Sequence, residues 1–406
     1  MRCSATPVGT DRTLVYTGGR GDSTVTADQR QLQPGSETLR ALFPVTERCA
    51  YLNHASAAPL NRRTADAVRR WITDWERDGT QAVFSEDVLS EYRVRTARLI
   101  GARPDEIAFT RNTSDGLMLV ALGLPWRPGD VLVTAESEFP ANVYPWQSLL
   151  DRGVEIRRVP AREGRILIDD VAAVMDERTR LLALSFVEFF TGFRNHLAEL
   201  GQLCRERNAR FCVDAIQGAG ALPIDVDEMG IDFLSTGSAK WLLGPIGAGV
   251  FYCRRALIGE LDPGTYGWQS TVDPDDHFNY DLPLSDTASR FEAGTLAWPS
   301  LIGLMESVQL LQDVGVKNIE EHVLSLTDGL IASLADRGYE LITPIGSRAE
   351  RSGIVTFRHP DRAAAELHER LANESVIVSQ RGDGIRVSPH LYNTWDDIER
   401  LLDALP

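Results

Sequence analysis

"FCVDAIQGAG", residues 211–220, is a short apolar run that closes on an acid, Asp214, and then turns through small residues. The run predicts a strand, and open α/β sheets place their ligands at the carboxyl ends of strands, where Asp214 stands. A carboxylate in that position either caps a following helix or holds a buried cation such as a protonated ring nitrogen. Gln217 follows one turn later, within reach of the same ligand.

On both sides of this run, strand and helix signals alternate. Helical periodicity covers 64–77, 87–100 and 115–123, and β-rich runs stand at 106–110, 131–135, 154–158, 181–187 and 231–235. Helical segments such as "HLAELGQLCRERNA" (196–209) lie between the later strands. This alternation predicts the α/β class, with a doubly wound, mostly parallel sheet. After "GVFYCRR" (249–255) the pattern changes. A helical region over 299–337 leads to "GYELIT", "RSGIVTFRH", a helix at 361–372, "SVIVSQ", "GIRVSP" and a closing helix at 395–405. The expected organisation is a large domain over 37–298, whose arm 37–60 packs near a smaller α+β domain over 299–406. Residues 1–36, rich in Thr, Gly, Ser, Asp and Arg, are expected to form a flexible extension outside the fold.

Composition narrows the function classes. The 406-residue chain carries a formal charge of −16 and no basic block, so nucleic acid is not an expected partner. Five cysteines stand without metal-ligand spacing, and their odd number argues against a complete disulfide framework. A reducing cytoplasm is the expected compartment. The longest apolar run, Leu181 to Val187, falls far short of the ~20 residues that cross a bilayer, and the N-terminus shows no apolar export signal. Acidic pairs such as Asp169-Asp170 and Asp275-Asp276 read as solvated loops, and no metal is expected.

In "STGSAKWLLGPIGAG" (235–249), Lys240 sits among small residues ahead of a Gly-Pro turn. It either points outward from a strand end or, desolvated, presents an amine with a lowered pKa that attacks carbonyls. "AFTRNTSDG" (108–116) reads as strand, polar turn and helix start. There Thr113 and Ser114 serve either as plain helix caps or, with free backbone N–H groups, as a cradle for a phosphate dianion. A carbonyl-seeking lysine, a strand-end carboxylate and a phosphate cradle together describe a site for pyridoxal 5'-phosphate.

The motifs "YLNHASAAPL", "NTSDG", "SEFPANVYPW", "VDAIQG", "SAKWLLGP", "FEAGT" and "IRVSPHLYNT" occur in this order over roughly residues 45–405. In this the chain resembles the class V branch of the fold-type I pyridoxal-phosphate enzymes. That branch includes cysteine desulfurases, isopenicillin N epimerase-like proteins and the C–S lyases of ergothioneine and lincosamide pathways. The resemblance implies that Lys240 bonds covalently to the cofactor aldehyde, Asp214 pairs with the ring nitrogen and Gln217 bonds the ring oxygen. It also implies that Thr113 and Ser114 hold the phosphate, joined by Gly294 and Thr295 of a neighbouring subunit, so that a homodimer with shared sites is expected. Arg386 matches the arginine that grips the substrate α-carboxylate through a planar fork.

Two departures from the desulfurases are informative. Phe139 stands where they stack a histidine on the ring, which leaves Lys240 as the expected acid–base group. Only "SQRGDG" separates "SVIV" from "IRVSP", and no cysteine follows Cys253, so persulfide chemistry at a cysteine is not expected. Asn142 is either a turn residue or a contact to the ring oxygen or substrate. His54 is either structural or borders the substrate, and His390 is read as packing. Phe189 and Phe190, with Tyr266 and Trp268 from the stretch that reaches the partner's site in relatives, either pack the core or line a pocket for a bulky substrate.

The resulting expectation is a pyridoxal-phosphate lyase acting by β-elimination on an S-conjugated cysteine, releasing thiol, pyruvate and ammonia in sulfur or natural-product metabolism. Decarboxylation with oxidative deamination to an aldehyde is the alternative, followed by epimerisation. A catalytically silent binding module is a rival of another class, which the presence of Lys240 argues against.

Overall fold

The computed structural model describes residues 32–79 and 86–406. Most of the extension expected at the N-terminus therefore lies outside the described residues. Its last residues are tied into the fold: Gly35 N–H donates to Leu391 O at 2.8 Å, and Ser36 Oγ caps the helix Glu37–Arg40.

The centre is a seven-stranded sheet. From edge to edge its strands are Ile107–Thr110, Gly249–Cys253, Phe233–Gly237, Arg210–Asp214, Thr179–Ser185, Val131–Ala135 and Glu155–Val159. Arg210–Asp214 is parallel to both its neighbours, and so is Thr179–Ser185, while Gly249–Cys253 runs antiparallel to the strands beside it. The central strands are apolar on both faces because helices or loops cover both. Leu182, Leu184, Phe211 and Val213 belong to one core cluster and Leu181, Ala183 and Cys212 to another, as alternation across a sheet requires.

A second, four-stranded antiparallel sheet orders Ser379–Arg381, Gly384–Val387, Val355–Arg358 and Glu340–Leu341. It builds its own core with the helices Ala364–Asn373 and Trp395–Ala404 and the far half of Val316–Asp336. The segment after residue 49 links the two parts. Ala50–Tyr51 pairs in parallel with Val376–Ile377, and Asn53 bridges to Ser388. Ala58 N–H then donates to Ala239 O at 2.7 Å, beside Lys240.

The helical region read as continuous over 299–337 is two helices, Trp298–Val314 and Val316–Asp336. Gly315 separates them at φ 86°, a left-handed conformation open to glycine at no steric cost. Among the described residues no helix is long and apolar enough to cross a membrane.

Candidate active site

A cavity of about 330 Å³ opens where Arg210–Asp214 and Phe233–Gly237 end. It brings together Lys240, Asp214, Gln217, Thr113, Ser114, Phe139, Phe189 and Arg386. With Ala55 and Ser56 they draw on both sheets and on the segment between them, so the cavity exists only once the two parts have docked.

Asp214 is buried, and its Oδ1 accepts the Ile216 N–H at 3.0 Å. The residues that follow form a turn, so there is no helix for it to cap. Burial pushes its carboxyl up to about 6, against the pull of the Lys240 charge. Gln217 is fixed from two sides: its Nε2 donates to Ala55 O at 3.0 Å and its Oε1 accepts from Trp241 Nε1 at 2.8 Å. The second Nε2 hydrogen remains for the cavity.

Lys240 lies in a tight loop after Phe233–Gly237. Ser238 N–H donates to Ala248 O, Gly244 N–H to Ser238 O, and Ser238 Oγ to Pro245 O. His390, buried and neutral, holds the next residue through Nε2–H to Trp241 O at 2.9 Å, with burial lowering its pKa to about 4. Lys240 Nζ stands 5.5 Å from the centre of the Phe139 ring. Burial lowers its amine to about 8; Asp214 opposes this, while Arg386 and Arg381 add to it. The outward-pointing reading of Lys240 is therefore excluded.

The helix Thr113–Gly123 is capped by Asn112, whose side chain accepts from Asp115 N–H at 2.9 Å. Neither Thr113 nor Ser114 is needed as the cap. Thr113 Oγ1 is buried without a hydrogen-bond partner, and Gly237 faces it so closely that a Cβ there would come within 3.2 Å. A buried hydroxyl left open at a helix N-terminus suits an anion. With the buried acid of Asp214 and the deprotonatable amine of Lys240, the residues fit the phosphate, ring nitrogen and aldehyde of pyridoxal phosphate.

Arg386 is 1% exposed, so it is no solvated strand-end side chain. Its Nη1 donates to Phe189 O at 2.7 Å and its Nη2 to Ser56 Oγ at 2.9 Å, while Nε has no partner. Burial and the neighbouring Arg381 lower its pKa to about 9. Phe139 and Phe189 meet edge to face at 5.3 Å, giving the cavity an apolar wall.

Two of the residues with open readings stand outside the cavity. Asn142 is fully buried behind that wall, where its Oδ1 accepts from Trp146 Nε1 at 2.9 Å; it does not line the cavity. His54 is also fully buried, with Nδ1 against Ser388 O at 2.9 Å and its ring packed on Tyr51, His390 and Tyr392. Burial holds it neutral, and Ser56, two residues on, faces the cavity instead. Trp268, Gly294 and Thr295 lie outside the cavity of their own chain. Trp268 is 49% exposed, and Gly294 lies beside it.

Sequence reasoning missed Ser56 and Arg381, which also line the cavity. Arg381 was recoverable from the hairpin period. Ser379 pairs with Arg386 and Arg381 with Gly384, so both arginines project from one face. It also missed two buried acids behind the wall. Glu138 accepts from Ser185 N–H and Oγ, and Glu188 accepts from Ser137 Oγ at 2.8 Å, with burial pushing Glu188 up to about 7.

Residues 50–401 match the model of the "Aminotransferase class-V" family. A "Probable cysteine desulfurase" of Methanothermobacter thermautotrophicus is 30% identical, with 91% of this chain and 97% of that protein covered. An "Uncharacterized aminotransferase YcbU" of Bacillus subtilis is 28% identical over the same shares. Among solved structures, the apo cysteine desulfurase of Thermococcus onnurineus superposes with a TM-score of 0.83 at 25% identity, covering 90% of this chain and 96% of that one. The cystine C–S lyase C-DES, at 24% identity and a TM-score of 0.81, shares the fold.

Proposed function

Because this chain belongs to the class V aminotransferase family, we propose that it is a β-eliminating C–S lyase, a pyridoxal-phosphate enzyme acting on an S-conjugated cysteine in sulfur or natural-product metabolism. The observation that carries this reading over persulfide formation is the hairpin before Arg386. Arg381 pairs with Gly384, so only Gly382 and Asp383 form its turn and no cysteine loop stands there. Among the described residues no cysteine lines the cavity, and burial pushes the thiols of Cys204, Cys212 and Cys253 up.

Thr113 and Ser114 would hold the cofactor phosphate, Asp214 its ring nitrogen, Gln217 its ring oxygen and Lys240 its aldehyde carbon, with Phe139 against the ring. Bound there, pyridoxal phosphate acts as an electron sink for the substrate α-carbon. Lys240, whose buried amine is lowered to about 8, would take the α-proton. The Cβ–S bond breaks with its electron pair leaving on sulfur, and the Lys240 ammonium returns a proton to the thiolate. Arg386 fixes the α-carboxylate through its free N–H groups, and Phe189 packs on the side chain.

Two features weigh against the other reactions. The carboxylate site is cationic rather than apolar, which favours keeping the carboxylate over losing CO₂. Among the described lining residues no histidine, tyrosine, cysteine or glutamate offers a second base for epimerisation.

A cytoplasmic homodimer completes the proposal. Trp268 and Gly294 neighbour one another outside the cavity, and Phe278 and Tyr280 nearby in sequence are 94% and 92% exposed, an apolar surface that a second copy would cover. Gly294 and Thr295 of that copy would reach the phosphate, and its Trp268 the substrate. The deciding assay incubates the holoenzyme with several S-alkyl-cysteines and reads pyruvate, CO₂ and hydrogen peroxide together. Pyruvate without CO₂ supports elimination; CO₂ with an aldehyde overturns it.

A further inference from the structure

Two guanidinium groups converge on one hydroxyl. Arg386 Nη2 donates to Ser56 Oγ at 2.9 Å and Arg381 Nη2 at 3.3 Å. Both line the cavity. Arg381 otherwise donates only to Gln380 O at 3.0 Å, and among the described residues it has no carboxylate partner. The nearest acid in sequence, Asp383, is taken by Arg358 at 2.7 Å. Arginine has five N–H donors, and two of those on Arg381 are used.

Charge matching leaves Arg381 over. In the proposed holoenzyme the phosphate has the helix N-terminus at Thr113, the ring nitrogen has Asp214, and the substrate α-carboxylate has Arg386. A second cation, half-buried and beside the first, is unfavourable unless an anion neutralises it. The same face of the hairpin carries both arginines, and both reach Ser56 Oγ, so an anion on Arg381 would lie a short span from the α-carboxylate.

We infer that Arg381 is a specificity residue that binds a second anionic group, a carboxylate carried on the sulfur-linked arm of the substrate, so that the preferred S-conjugate carries two carboxylates. This rests on the proposed S-conjugated cysteine substrate and narrows its class. The planar fork suits a carboxylate bound through two parallel hydrogen bonds.

The test uses carbon isosteres that have no leaving group, so that binding is read apart from elimination. Titration calorimetry of the holoenzyme compares 2-aminoadipate, whose arm ends in a carboxylate, with norleucine, whose arm of the same length ends in a methyl. The wild type is expected to bind 2-aminoadipate at least 10-fold more tightly, Arg381→Gln to bring the ratio to within about threefold, and Arg381→Lys to retain part of it. Equal binding by the wild type overturns the proposal. So does an equal loss for both ligands in Arg381→Gln, which would place Arg381 on the α-carboxylate. Assay of S-carboxymethylcysteine separates the two readings: selective binding without pyruvate sinks the elimination and leaves the anion subsite standing.

Discussion

Trp241 Nε1 donates to Gln217 Oε1 at 2.8 Å, and this one bond sets which end of the Gln217 amide faces the cavity. With Oε1 occupied and one Nε2 hydrogen on Ala55 O, the amide can only donate toward a ring oxygen. Trp241→Phe should therefore weaken reconstitution with pyridoxal phosphate about 10-fold, the loss of roughly one hydrogen bond's orientation. Titration of the cofactor-free protein followed by absorbance measures it, and unchanged affinity would remove Gln217 from the ring contacts.

Capture of the cofactor should follow the Lys240 amine. Only the neutral amine attacks an aldehyde, and burial lowers this one to about 8. The rate at which the covalent absorbance band appears should rise with pH and reach half its maximum near 8, well below an exposed lysine. Lys240→Ala should abolish the band and lower elimination by about 10²–10⁴-fold or more.

Asp214 should make the cofactor-free protein less stable as pH rises. Burial raises its pKa in the folded state to about 6 from an ordinary 3.8, so between these values the folded state holds the extra proton. Its stabilising contribution is present below about 4 and is lost as pH rises through 6. Asp214→Asn should raise stability at pH 7 by on the order of 1–3 kcal/mol while removing activity. Denaturant melts of both proteins at pH 5 and pH 7.5 check the sign: the gap between them should widen at the higher pH.

Arg386→Ala should raise the substrate KM about 10–150-fold, the worth of a charged hydrogen bond, and leave the cofactor band in place. A KM equal to that of the wild type would take Arg386 out of the site.

Sharing of sites between copies predicts complementation. Lys240→Ala and Gly294→Trp should each be inactive alone. Mixed dimers would contain one intact site, formed by Lys240 of one copy and Gly294 and Thr295 of the other. After subunit exchange the mixture should recover about a quarter of wild-type activity. No recovery, with mixed dimers shown to form, would place Gly294 and Thr295 outside the partner's site.

The sequence by itself determined the α/β class, the strand ending at Asp214 and the apolar neighbourhood of Lys240. Each follows from local pattern: an apolar run closing on an acid, or a lysine flanked by small residues. Local pattern also left pairs of readings open that only packing resolved. Thr113 is free for a ligand because Asn112 takes the cap. Arg386 is buried because the small sheet docks against the loop at Ser56, and His54 turns into the core beside His390 while Ser56 turns out. Burial and the sharing of hydrogen-bond partners belong to contacts between segments far apart in the chain, such as Ser56 with Arg386, and no periodicity within either segment encodes them. That is why residue types were legible in the sequence, whereas the charge state and free hydrogen-bonding capacity of each side chain were decided by the tertiary structure.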